Sequence, residues 1–125
     1  MIHEYLPDVD VYISTWVELG QALEAKVALE YELDQLRAGI TKEALSNSLY
    51  FVNGKPPSME YVKSVYFILG LNDANSKEIQ GLILKLASLE ATIKRLNGII
   101  KSEDMKMGVF QTLSANARNI VAINE

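Results

Sequence analysis

The side chains able to do chemistry are few and poorly spaced for it. Acids cluster twice, as Asp8 with Asp10 and as Glu30, Glu32 and Asp34. Residues two apart on a helix point to different faces, so neither group converges on a metal or forms a general acid/base pair. Gly54-Lys55 lacks the preceding glycine spacing and the following Ser or Thr of a nucleotide-binding loop, and it reads as a turn. Ser14, Ser46, Ser48 and Ser58 stand without a histidine in any recognisable motif, which leaves nucleophilic catalysis unsupported. His3 is the sole imidazole and there is no cysteine, so disulfides, thiol chemistry and nearly all structural zinc sites drop out. His3 reads as a loose N-terminal side chain. The expectation is a protein that is not an enzyme and needs neither cofactor nor metal.

One mixed patch remains: Tyr50, Phe51, Lys55, Tyr61, Lys63, Tyr66 and Phe67. Aromatic rings among lysines are what sequence-tolerant binding of single strands requires, because bases stack on rings while ammonium groups follow phosphate. The competing reading is core packing, since Tyr, Phe and Val alternate here as in a segment laid on long helices. Lys55, Tyr61 and Lys63, with Tyr50 beside them, are the candidates kept for binding.

These residues hang on a chain organised around one long pattern. Ile79, Leu82, Leu86, Leu89, Ile93, Leu96 and Ile100 follow at alternating steps of three and four, and after the polar Glu103 the series resumes at Met107 and Phe110. That is a heptad seam of more than four repeats, the signature of a coiled-coil-like helix. Leu82, Leu86, Leu89, Ile93, Leu96, Ile100, Met107 and Phe110 are the residues expected to carry oligomerisation. Isoleucine at a with leucine at d favours two strands, while Ile83 and Ile99 widen the face toward further helices. Gly81, Gly98 and Gly108 lie within the pattern, and a break is expected near Ile100 to Glu103, with Ser102, Glu103 and Asp104 capping a separate last helix.

A first helix over about 9–38 opens at Pro7 and Asp8, with Asp8 as its cap, and stops at Gly39. It bears one stripe of Val9, Ile13, Trp16, Leu23 and Val27 and another of Leu29, Leu33, Leu36 and Ile40; the second is expected to be free for another subunit or the middle segment. At roughly 45 Å and 48 Å by the 1.5 Å rise, the first helix and the seam helix match in length. Between them, over 41–70, come a short helix capped by Thr41, a tight loop or stunted hairpin at Asn53-Gly54 closed by Pro56-Pro57, and a helix from Met59 to Leu69 capped by Ser58 and ended by Gly70. Asn75 with Glu78 resembles a capping box for the seam helix over about 76–102, and the last helix covers about 104–119. The predicted fold is therefore all-α: a single helical domain over 1–125, a long antiparallel hairpin or coiled-coil-like bundle with short intervening helices.

At 125 residues, 49% hydrophobic and 22% charged, the chain is long enough for one sizeable core. No window approaches the ~18 apolar residues of a membrane span, and Glu4, Asp8 and Asp10 stand where a secretory signal would be basic, so the expected place is the cytoplasm. The net charge of −4 is uneven. Residues 1–37 hold eight acids against two bases, and residues 77–125 hold seven bases against five acids. An acidic first helix lying on a mildly basic last one satisfies both, and an acidic chain works against non-specific binding of nucleic acid unless oligomerisation aligns its bases.

Ser14-Thr15-Trp16 early in a charged helix, Tyr50-Phe51 before a glycine loop, Ser58-Met59 with Tyr61, Lys63 and Ser64, and the late Ile93-Lys94 and Ile100-Lys101 occur in an order that resembles the small recombination mediators of T-even-type phages and their marine relatives, over most of residues 14–107. The resemblance implies a non-enzymatic helical protein that forms a ring-like oligomer, binds single-stranded DNA and helps load a recombinase where single-strand-binding protein had been. By position it implies DNA contact at Lys55, Tyr61, Lys63 and Lys101, assembly through the C-terminal helix, and a place in the host cell cytoplasm. The chain departs from that pattern in having few bases along its first helix. The alternative, from another class, is a structural or scaffolding helical protein that binds only protein partners.

Overall fold

The computed structural model describes residues 6–124, with side chains described through Arg118; His3 lies outside the described residues. The fold is all-α, a helical hairpin built on two long helices, α1 (Val9–Ser46) and α4 (Asp73–Asn124). Between them lie a 3-10 turn (Ser48–Tyr50), α2 (Met59–Tyr61), a π turn (Val62–Tyr66) and α3 (Phe67–Leu69). The chain forms two compact units, one of Met1–Leu23 with Ala91–Glu125 and the other of Glu24–Glu90.

Asp8 starts α1 as expected, its carboxylate accepting from the Val11 amide at 3.1 Å. The expected stop at Gly39 is overturned, because α1 continues to Ser46. Ile40 and Ala44, one turn apart, are both buried, and their burial outweighs the ~1 kcal/mol propensity cost of one glycine. Thr41 consequently caps nothing: its hydroxyl donates back to the Arg37 carbonyl at 2.9 Å. Asn47 ends the helix, accepting from the Leu49 amide and donating to Glu43.

The loop that follows is the stunted hairpin the dipeptide Asn53-Gly54 predicts. Both residues have positive φ, 53° and 73°, and Val52 and Lys55 exchange backbone hydrogen bonds of 2.8 and 3.1 Å. Ser58 caps α2 through the Tyr61 amide. Gly70, at φ 73°, ends α3 and is required there, since a Cβ would come within 2.6 Å of the Asn75 Cβ and 2.7 Å of the Ser76 nitrogen. Asn72, not Asn75, caps the next helix, accepting from the Asn75 amide at 2.9 Å.

The expected break near residue 102 is absent. Helix α4 runs unbroken through Gly81, Gly98, Gly108 and the acids at 103 and 104, so the separate seam and last helices are one element of 52 residues, against 38 in α1. Glu103 caps a different helix. Only 5% exposed, it accepts from the Asp8 amide at 2.8 Å and pairs with Lys106 at 3.1 Å. A negative charge at the amino end of α1 is favoured by the helix dipole, so this carboxylate ties the two long helices together.

In the Glu24–Glu90 unit, α1 and α4 lie antiparallel: Lys26 reaches Glu90 at 3.9 Å, and Gln35 to Glu43 share a groove with Leu71 to Asn75. Its core is Leu33, Ile40, Ala44, Val62, Ile79 and Leu82. The other unit buries Thr15, Leu19 and Ala22 of α1 with Leu96, Ile100 and Glu103 of α4.

Two consequences are measurable by urea unfolding. Glu103→Gln should cost about 1.5–3 kcal/mol by loosening a charge-assisted tie and leaving Lys106 unpaired, whereas Glu18→Gln, exposed on α1, should stay within about 0.5 kcal/mol; equal effects would refute the tie. For the glycines the sign should differ. Gly39→Ala, with open space around it inside α1, should gain about 0.5–1 kcal/mol, and Gly70→Ala should lose about 1–3 kcal/mol.

Candidate functional site

The aromatic and basic patch belongs to the Glu24–Glu90 unit. Lys55 closes the Asn53-Gly54 turn through its backbone pairing with Val52, and its side chain is exposed. Ser58 then fixes the start of α2, and one extra residue enters the helix in the π turn, where the Phe67 amide reaches back to the Val62 carbonyl. Val62 is fully buried, which anchors the turn, while Lys63 and Tyr61 stay outside.

Tyr66 is the hub of the rings. Tyr50 packs edge-to-face on it at 6.0 Å and Tyr61 at 5.3 Å. Burial pushes the Tyr66 phenol above its ordinary value of 10.0, and the neighbouring Tyr61 and Tyr50 push it in the same direction. Phe67 lies under the Arg37 guanidinium at 5.4 Å, and the Arg37 Nε is buried without a partner among the described residues. Most of these rings thus serve packing: Tyr50, Phe51, Tyr66 and Phe67 are half-buried, and Tyr61 alone is exposed, at 44%.

Of the four residues expected at DNA, Lys55, Tyr61 and Lys63 occupy one short segment of one unit, and Lys101 belongs to the other unit, exposed on α4. None of the three lysines forms an ion pair among the described residues. Nor do the described residues contain three or more acids or histidines grouped to hold a metal. No described helix is long and apolar enough to cross a membrane.

The seam residues are distributed by burial. Leu82, Leu96 and Ile100 are buried in the chain's own cores, Leu96 to 1% exposure; Leu86, Leu89, Ile93, Met107 and Phe110 are half-buried. A side chain buried within its own chain is not offered to a second one. Of the two stripes of α1, it is the first that departs from expectation. Leu29, Leu33, Leu36 and Ile40 face inward, with Leu33 and Ile40 buried, while Val9, Ile13, Trp16, Leu23 and Val27 are all exposed. The face of α1 buried in the first unit is Thr15, Leu19 and Ala22, which sequence reasoning missed because a threonine and an alanine break the apolar pattern. Thr15 can be buried because its hydroxyl donates to the Val11 carbonyl of its own helix.

An absorbance titration in the alkaline range tests the tyrosine hub. The folded chain holds the Tyr66 proton more tightly than the unfolded chain does, so stability should be intact below pH 10 and decline as pH rises beyond it. Subtracting the Tyr66→Phe curve from wild type should isolate a phenol titrating above 10.0, moved back toward it by Tyr61→Phe; a difference curve centred at 10.0 would sink the assignment. Compared with known proteins, the chain matches no family model, no curated protein and no solved structure.

Proposed function

We propose that this chain is a non-enzymatic helical interaction protein of the cytoplasm that associates with itself and works by binding other macromolecules. The observation that carries the reading is the exposed apolar stripe of α1: Val9 at 60%, Ile13 at 57% and Trp16 at 49% exposure, with Leu23 and Val27 continuing it. Soluble monomers seldom leave a contiguous apolar patch of this kind uncovered, and such patches mark interaction surfaces. The oligomer proposed from the heptad seam is kept in this form, with its contact moved to faces that the hairpin leaves open. Light scattering over a dilution series tests it: the mass should rise well above 13.9 kDa at tens of micromolar and fall on dilution. A constant mass of 13.9 kDa would remove the reading.

A second reading, the phage-type recombination mediator, is favoured by one specific observation. Lys55, Tyr61 and Lys63 are all exposed within the segment 55–63, with both lysines outside any ion pair among the described residues. Exposed rings and unpaired ammonium groups are what stacked bases and phosphate require, and this reading carries Lys101 as a further phosphate contact. In this reading the chain binds single-stranded DNA and recombination proteins in the host cell. Anisotropy of a short labelled single strand at low salt decides it. Binding that falls steeply with salt and disappears in Lys55→Glu/Lys63→Glu supports the mediator; no binding leaves a protein that binds only protein.

A further inference from the structure

We infer that the exposed stripe of α1 in one copy docks on the outward face of α4 in a second copy, with Trp16 seated in a recess at Gly108. The inference deepens the self-association reading and rests on it. Both surfaces belong to the Met1–Leu23 and Ala91–Glu125 unit. On α1, Val9, Ile13, Trp16, Gly20 and Leu23 are exposed and follow at steps of four and three, the spacing of a helix-pairing seam. On α4, Ala91, Gly98, Met105, Val109 and Thr112 are exposed at seven-residue spacing and its three-and-four subdivision. Each chain therefore presents two heptad faces that its own hairpin leaves uncovered.

Charge decides how these faces pair. Residues 9–23 hold the acids Asp10 and Glu18 and no base; residues 91–118 hold five bases against two acids. Lys94, Arg95 and Lys101 are exposed beside the α4 face, and neither they nor Asp10 and Glu18 form an ion pair among the described residues. Glu103, one of the two acids, is buried and already paired with Lys106. Stripe against stripe, α1 on α1, would set acid against acid with no base to offset it. With Trp16 at Gly108 and the two helices parallel, Asp10, six residues before Trp16, comes level with the exposed Lys101, seven before Gly108, and this acid–base pair orients the association.

Shape agrees. Met105, Gly108, Val109, Thr112 and Leu113 form a shallow apolar recess of about 390 Å³. Gly108 makes the notch, since nothing lies within 4 Å of where its Cβ would be. Trp16 is the largest side chain on the opposing stripe and the type most often found as an interface anchor. The contact joins two different surfaces, so each copy keeps one donor and one acceptor face and association is head to tail.

Complementation tests it on the full chain. Trp16→Arg removes the donor anchor and places a base before bases. Gly108→Glu fills the recess with an acid while improving helix propensity, and Val109→Asp serves as a second acceptor variant. Folding of each is checked by circular dichroism. At tens of micromolar, wild type should have at least twice the monomer mass, and each variant alone should be monomeric. Mixing Trp16→Arg with Gly108→Glu should give a one-to-one dimer. Trp16 of the Gly108→Glu chain is then the only tryptophan present, and its emission should shift to the blue on mixing. A monomeric wild type would overturn this contact together with self-association. Variants that keep the wild-type mass, or monomeric variants that fail to complement one another, would overturn this contact alone.

Discussion

Everything in this structure depends on covering one face of α4. Most of the stability of a helix in a protein comes from packing an apolar face, and the 52-residue α4 persists where such a face is buried. Ile79 and Leu82 in one unit, and Leu96 and Ile100 in the other, meet that requirement, each worth about 1.5–3 kcal/mol when fully buried. The glycines at 81, 98 and 108 are tolerated inside the helix because none of them is on this row.

The same constraint explains Glu103. It stands in the heptad row where an apolar side chain would be expected, and a buried carboxylate without partners would be expensive. Here it has partners: the Asp8 amide on one side and Lys106 on the other. An irregularity that looked like the end of one helix is the fastening for the beginning of another. Fixing the start of α1 to α4 also sets which face of α1 turns inward around Thr15, Leu19 and Ala22, and so which face is left outside.

A hairpin of long helices covers one face of each partner and leaves the remaining faces open. On α1 the uncovered face is apolar; on α4 it is small and apolar with basic borders; in the segment 55–63, Lys55, Tyr61 and Lys63 are exposed. Among the described residues, the π turn is where a backbone irregularity and a shifted ionisable group coincide, at Tyr66, on whose ring Tyr50 and Tyr61 pack.

Much of this was legible in the residues. Periodicity over 79–110 determined a long helix, Asp8 and Ser58 its neighbours' starts, Asn53-Gly54 a tight turn and Gly70 a stop, because caps and positive φ are local physics written in single side chains. The candidate site was legible in part: Lys55, Tyr61 and Lys63 are exposed as a binding patch requires, while the other rings pack, as alternation suggested. What the residues could not determine was every choice that local physics leaves balanced. Gly39 reads as a stop until Ile40 and Ala44 find burial, Glu103 reads as a cap until its carboxylate meets Asp8, and two apolar stripes on α1 look equivalent until one of them is covered. Each of these differs by about a kilocalorie locally and by several once a distant segment packs against it, so only the tertiary structure decided them.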